Sequence, residues 1–489
     1  MKRTFPEKNI NEICSRLEKS ASSRILRSSC FRTPVQVVYG GANLFTSDTP
    51  NKLGKLALQS LETYAPNFVE FALAMWLKGA DTLPQFRDVI EDLEFRLTDN
   101  PDKVKTENYN AWLAWTVYQR TIEKLQTEAI EDFRIDFEDG YGLRTDAEED
   151  GHAINASDEL AKALREHKIT AFAGFRIKSF APETYRRAIR TLDLFLTNLI
   201  EKTAGKLPEN FVVTLPKITR TEEVAMLDEL LTEFEKQHNL ENGAVKIEIM
   251  IETPQAIMIL PELVEAANGR CTSAHFGAFD YTASFGISAT HQHLNHEACN
   301  FARQMMQISL APLDIRLSDS VTTEMPIPIY KGENLTKKQL NANKRSVQNA
   351  WRKHFNNVTN SLINGFYQSW DLHPAQLVAR YAAVYSFFLE SNDSQAKRLK
   401  GFIEKATQAM MTGNQFDDAA SAQGLLNFFI RALNCGAMTE AEVSEATGLN
   451  TKDLRSASFV KIMQKRRQLD GNGREAFKQS PHSLMLSDV

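Results

Sequence analysis

Two carboxylates, Glu252 and Asp280, stand 28 positions apart (280 − 252), each at the end of an apolar run, VKIEIMIE and TSAHFGAFD. That spacing is about one strand–helix unit, which predicts two oxygen donors side by side on neighbouring strands. Magnesium takes one or two carboxylates, keeps several waters and leaves positions for substrate oxygens, and such a pair meets those needs; manganese is its natural substitute. Other charged residues close apolar runs in the same way: Asp136, Glu138 and Asp139 in DFRIDFED, Arg176 in the run from Phe172, Lys217 in FVVTLPK, and Asp371 and His373 in the last run. Arg176 carries the planar fork that grips a substrate carboxylate through two parallel hydrogen bonds; an ion pair with Glu138 or Asp139 is its other use. The chemistry this set suits is metal-assisted reaction of a substrate that carries a carboxylate, and no covalent nucleophile is required.

The histidines are less telling. His373, before Pro374, is either a general base or a residue that orders the last strand, with the second reading favoured, and His275 is open in the same way. The stretch from His291 to His296 (HQHLNH) has metal-like composition but follows a strand end, and reads as a solvated loop rather than a zinc site.

Side chains at strand ends need a sheet whose carboxyl edge forms one rim, and the order of elements supplies it. From Phe133 onward, short β-branched and aromatic runs alternate with segments of helical period. Four units are plain. The strand Phe172 to Ile177 precedes a helix with Ile189, Leu192, Leu196 and Leu199 on one face and Gly205 beyond its end. FVVTLPK precedes a helix that Thr219 and Glu222 open in capping-box spacing, with Val224, Leu227, Leu231 and Phe234 as its stripe. VKIEIMIE is followed by a helix begun by Pro254, broken by Pro261 and ended by Gly269. TSAHFGAFD is the fourth strand.

VQVVYGG, DFRIDFED, a weak strand from Ile315 to Val321 and a last one from Gly365 to Leu372 bring the count to eight. A helix carrying Leu340, Val347, Trp351, Phe355, Val358 and Leu362 crosses between the last two. The fold class is therefore α/β, a (β/α)8 TIM barrel, in which the reactive side chains sit at the carboxyl ends of the strands. The stretch from about 42 to 131 is far longer than a strand–helix loop, and reads as a helical insertion after the first strand that overhangs the mouth as a lid or subunit contact. The organisation expected is an N-terminal helical segment (1–33), the barrel (34–392), a C-terminal helical extension (393–464, with helices near Arg398 to Met411 and Ala420 to Leu433) and a polar, poorly ordered tail (465–489).

Bulk properties fit a small-molecule enzyme. The 489 residues are 43% hydrophobic, enough for a large core, and 57 Lys+Arg against 62 Asp+Glu leave no basic excess for nucleic acid. Five cysteines (Cys14, Cys30, Cys271, Cys299, Cys435) form no C-x-x-C pair, which suits a reducing cytoplasm without zinc or redox chemistry. No run has the apolar length of a signal peptide or membrane span. The partners expected are an oxo acid or acyl-CoA substrate and further copies of the chain, without nucleic acid or membrane.

Six motifs in barrel order resemble the citrate lyase β-subunit and HpcH/HpaI-type aldolase superfamily, with malate synthase as a more distant relative. IDFEDGYG is similar to its acidic strand, FRIKSF to its R-x-N strand, LPKITRTEEV to its P-K segment, IEIMIETPQAI to its I-E-T strand, FGAFDYTASFGI to its G-x-x-D segment and GFYQSWDLHPAQL to its H-P-x-Q ending. The resemblance implies Glu252 and Asp280 as metal ligands, Arg176 as the oxyacid-binding and catalytic arginine, and Glu138 and Asp139 as supporting catalytic acids. With these go Lys217, Gly277, Ala278 and Phe279 as substrate contacts and Asp136 and His373 as further candidates. Lys178 stands where the family has asparagine, and Gln368 where it has glycine. No residue matches the family's proton-transfer groups, so that role is unassigned. The activity implied is a magnesium-dependent lyase or aldolase acting on an oxo or hydroxy acid or its CoA thioester. A condensing enzyme of malate synthase or malyl-CoA lyase type is one rival, since no G-x-x-x-x-G-K-[ST] or G-x-G-x-x-G motif decides whether coenzyme A binds. A non-catalytic barrel scaffold is the other.

Overall fold

A computed structural model describes residues 32–404 and, with gaps at 405–409, 413–414, 418, 457 and 460, continues to 462; residues 8, 11–13 and 15–16 are also described. The expected N-terminal segment falls mostly outside the described residues, as do the polar tail and Cys14 and Cys30. The described chain forms two compact units, one running to Phe387 and one from Phe388 onward.

The first unit is a closed parallel barrel in which strands β1 to β8 pair in chain order and β8 closes on β1. β1 (Gln36–Gly41) leads into helices α1 (Thr49–Tyr64), α2 (Phe68–Met75), α3 (Arg87–Asp99), α4 (Pro101–Glu107) and α5 (Tyr109–Thr127). β2 (Asp132–Asp136), α6 (Asp146–Arg165), β3 (Phe172–Arg176), α7 (Tyr185–Lys202), β4 (Phe211–Leu215), α8 (Thr221–Gln237) and β5 (Lys246–Ile251) follow. The chain continues through α9 (Pro254–Met258), α10 (Leu260–Ala266), β6 (Cys271–Phe276), α11 (Ala278–Ser284), α12 (Glu297–Leu310), β7 (Arg316–Val321), α13 (Lys337–Ile363), β8 (Gln368–Trp370) and α14 (Gln376–Glu404). All eight expected strands are present, and Pro261 divides α9 from α10 as its missing N–H requires.

Several boundaries differ from the sequence reading. The acid that pairs with Thr219 is Glu223 rather than Glu222: it accepts from the Thr219 backbone (3.2 Å) and hydroxyl (2.8 Å), because α8 starts only at Thr221. Leu340 on α13 is exposed, since the buried apolar stripe of that helix begins with Val347. In the second unit, α14 ends at Glu404, and Met410–Thr412 (β9) pairs antiparallel with Gln415–Asp417 (β10), so Met410 and Met411 are strand rather than helix. α15 (Ala419–Asn434), α16 (Glu440–Thr447) and α17 (Thr451–Arg455) complete it.

The barrel interior is ionic where branched aliphatic layers are the rule. On β2 the outward Phe133 and Ile135 are buried beneath the helices, whereas Asp132 and Arg134 point to the axis. Arg134 pairs with Asp132 and reaches across the barrel to Glu248 on β5 (3.1 and 3.3 Å). Glu248 also accepts from Tyr39 (3.1 Å), Thr214 (2.8 Å) and Ser273 (2.8 Å), and Asp132 accepts from Gln368 (2.8 Å). Every carboxylate oxygen of the network is partnered, as burial demands.

In the insertion, α2 buries Phe68 and Phe71 while Leu73 and Trp76 stay exposed. Its polar contacts run to α13: Lys344 pairs with Glu70 (2.6 Å), Gln348 donates to the Tyr64 carbonyl (2.8 Å), and the Arg352 guanidinium lies 4.2 Å from the Trp76 ring centre. Among the described residues no helix is long and apolar enough to cross a membrane.

Candidate functional site

The carboxyl ends of β2 to β6 bring five acids and two cations to one side of the mouth. Asp136 ends β2 on its inward face and is fully buried. The Arg176 fork, from the paired end of β3, is turned onto it: Nε and Nη2 each lie 2.6 Å from an Asp136 oxygen. Asp136 also accepts the backbone N–H groups of Glu138 (3.0 Å) and Gly140 (2.8 Å), which folds the acidic loop over the strand end. The fork expected to hold a substrate carboxylate thus holds a protein one, because the β2–β3 register sets Asp136 directly beside it. Nη1 of Arg176 remains turned to Glu138 (3.1 Å), with Asp139 at 3.7 Å. The guanidinium rests on the Tyr39 and Trp370 rings, 5.0 and 5.6 Å from their centres, a bed the sequence reading missed. The signal for it was the inward alternation of Tyr39 on β1 and Trp370 on β8.

Lys217 adopts a left-handed backbone (φ 52°), a conformation uncommon outside glycine and asparagine. The turn aims its N–H at Glu252 (2.6 Å) while its ammonium pairs with Glu138 and, at 2.8 Å, with Asp139. These contacts raise the Lys217 ammonium above its ordinary value in spite of burial. Burial raises the Glu138 carboxyl, whereas in Asp139 the hydrogen bonds from Glu138 and Lys217 outweigh burial and lower it.

Glu252 follows β5 and is buried, with the Lys217 N–H as the hydrogen bond to its carboxylate. Burial and then the charge of Asp280 push its carboxyl up to about 8, against 4.5 ordinarily. Asp280 does not end a strand. β6 stops at Phe276, Gly277 caps α11, and Asp280 lies exposed in that helix's first turn. A side chain at Gly277 would set its first carbon 2.5 Å from Oε2 and 2.6 Å from Cβ of Glu252, so the approach of α11 to Glu252 requires glycine. The Ala278 N–H donates to Ser320 on β7 (3.1 Å), Ala278 is buried and Phe279 is half-buried.

Two expected rim residues have other duties. Asp371 turns away from the mouth: it is fully buried between Arg380 (2.8 Å) and His354 (2.7 Å), whose charge and hydrogen bonds hold its carboxyl low against burial. It lies one position past the inward Trp370, so strand alternation faces it to the helices. His373 accepts the Ala375 N–H through Nδ1 (3.2 Å) at the start of α14. His275 is on the barrel axis, 3.4 Å from the Tyr39 hydroxyl, and burial drives its imidazolium down to about 4. His296 caps α12 by accepting the Ala298 N–H (3.1 Å).

Among the described residues no three His, Cys, Asp or Glu side chains group to hold a metal. The donor set that fits an ion is the pair Glu252 and Asp280. Asp136, Glu138 and Asp139 have Arg176 or Lys217 as counterions, while neither member of the pair has a side-chain cation within ion-pair distance among the described residues. Two oxygen ligands suit magnesium, which retains waters for the rest.

Fold and site together define a (β/α)8 barrel with an acidic mouth. The chain belongs to the family described as a domain of unknown function, DUF6986, whose model matches residues 21–462. No curated protein matches it. Among solved structures, a citrate lyase from Burkholderia xenovorans LB400 superposes with a TM-score of 0.50 at 17% identity, over 68% of this chain and 92% of that one. A Haloferax volcanii malate synthase lead(II) complex gives 0.40 at 15%, over 67% and 89%, and the magnesium/glyoxylate complex 0.40 at 14%, over 66% and 89%. The likeness to the citrate lyase is one of fold, in accord with the order of the six motifs.

Proposed function

We propose that the protein is a magnesium-dependent carbon–carbon lyase or condensing enzyme acting on an oxo or hydroxy acid. The observation that carries this reading is the partition of charge at the mouth: Asp136, Glu138 and Asp139 each have Arg176 or Lys217 as a counterion, and the two acids left without one, Glu252 and Asp280, repel each other. Magnesium between those two would supply the positive charge that stabilises the enolate left when a carbon–carbon bond breaks, or formed before one is made. Nη1 of Arg176, Lys217 and the turn from Gly277 to Phe279 lie along the same rim and would receive the substrate carboxylate. Glu138 and Asp139 hold both cations in place until the carboxylate competes for them. Asp136 fixes the plane of Arg176, and the Tyr39 and Trp370 rings exclude water beneath it.

Calorimetric titration with magnesium tests the site. Glu252→Ala and Asp280→Ala should each abolish binding and leave the fold intact, since Asp280 is exposed and the Glu252 carboxylate accepts one hydrogen bond, from the Lys217 N–H. Wild-type binding in both variants overturns the assignment. A screen of oxo acids and acyl-CoA thioesters for a product that requires magnesium then identifies the reaction.

A further inference from the structure

A second candidate site lies beside the mouth, along α13. This helix has 27 residues, about 40 Å, against about 20 Å for the six-residue β7. His354 touches Asp371 just past the end of β8, which sets the rim near that residue, so 337–350 rise about 20 Å beyond the strand ends. One face of this projection is taken by the insertion through Lys344, Gln348 and Arg352.

Another face is roofed by the chain that leaves β7. Side chains clamp that segment onto the helix: Asn343 accepts the Tyr330 N–H (2.7 Å) and donates to its carbonyl (2.9 Å), and Lys353 pairs with Glu324. Gln376 holds the Thr322 carbonyl (2.8 Å). Between segment and helix runs a groove of about 720 Å³, within the ordinary size of a small-molecule site. Its helix side presents Lys338 and Arg345, seven residues and about 10 Å apart on one stripe. The facing wall contributes Met325 and Ile329, the latter 64% exposed. Lys353 is balanced by Glu324, whereas Lys338 and Arg345 have no partner among the described residues. A solvated helix face needs neither a clamped roof nor an exposed apolar wall opposite its cations.

We propose that this groove binds an organic pyrophosphate. Lys338 and Arg345 would converge on its phosphates, the lysine as a point charge and the arginine through its fork, with the organic part against Met325 and Ile329. The site shares no residue with the metal pair and stands independently of the reaction proposed at the mouth.

The test is calorimetric titration of the full chain with ADP and, separately, with coenzyme A, which share an adenosine pyrophosphate. At least one should bind, more weakly as salt rises, with affinity at least about tenfold lower in Arg345→Ala, as expected for loss of its charge-assisted hydrogen bonds, and abolished in Lys338→Glu/Arg345→Glu. Binding of ADP assigns a nucleotide site, and binding of coenzyme A alone assigns one that also reads the pantetheine chain. Glu252→Gln should leave this binding unchanged, and the double variant should leave magnesium binding unchanged. The proposal is overturned if neither probe binds, if the double variant binds as wild type does, or if Glu252→Gln abolishes the interaction.

Discussion

Arg176 and Glu252 mark what residue type alone can and cannot tell. A strand-ending arginine among acids is visible in the sequence, but its partner is set by the neighbouring strand, and the register gives the fork to Asp136. Arg176→Lys is therefore expected to lower stability as well as turnover. One ammonium cannot replace two parallel hydrogen bonds to a buried carboxylate, a loss of about 1–3 kcal/mol. Urea unfolding alongside assay measures both, and unchanged stability would show that the fork is not needed by Asp136. Glu252 carries a second expectation. Its carboxyl, raised to about 8, keeps a proton in the folded chain that the unfolded chain releases at the ordinary 4.5. Without divalent ions, stability should thus fall as pH rises across that window and level off above it. Magnesium needs the carboxylate, so its affinity should climb about tenfold per pH unit up to about 8. Calorimetry and thermal melts between about pH 6 and pH 9 check both slopes, and an affinity that does not vary with pH would overturn the expectation.

Strands were readable because each presents buried apolar residues to the outer helices, as Phe133 and Ile135 do. The inward residues obey partners far away in sequence: Arg134 meets Glu248 across 114 positions, and no local window contains that pairing. Glu248→Gln should therefore destabilise the barrel by about 1–3 kcal/mol, because Arg134 loses the carboxylate it reaches across the axis and keeps only Asp132 as its counterion. Urea midpoints of the two chains decide it, and an unchanged midpoint would show that Asp132 alone satisfies Arg134. The junction of β6 with α11 was legible in position but not in kind. FGAFD continues the apolar run past the strand, while the helix begins at Ala278 because Gly277 caps it. Gly277→Ala would drive a methyl group into Glu252. Magnesium affinity should drop at least about tenfold for a ligand displaced in this way, while the far-ultraviolet spectrum stays unchanged. Wild-type affinity would show that Glu252 can shift at no cost.

At the scale of the molecule, an insertion between the first two strands was evident from length alone, and α1 to α5 occupy it. α5 buries Ala114, Val117, Thr121 and Leu125, packs against α1 to α4 and ends just before β2. The placement of those helices could not be read from their apolar content, because Phe68 and Phe71 satisfy any buried surface equally well. The contacts with α13 decide it. Tyr64 stands edge-on to Trp351, with ring centres 6.4 Å apart, and the three polar links from Lys344, Gln348 and Arg352 lie along the same side of the helix. Removing residues 48–110 and joining the ends with a short linker would uncover Val347 and Trp351, both fully buried in the intact chain, together with the α5 face that carries Tyr118 against Phe71. Exposed apolar surface of that kind drives association. The shortened protein is expected to aggregate or to melt well below the intact chain, even though every strand of the barrel is retained. Size-exclusion chromatography with light scattering, thermal melting and magnesium titration of the same sample provide the check. A soluble product with the intact chain's melting temperature and magnesium affinity would mean that α13 holds its place without the insertion.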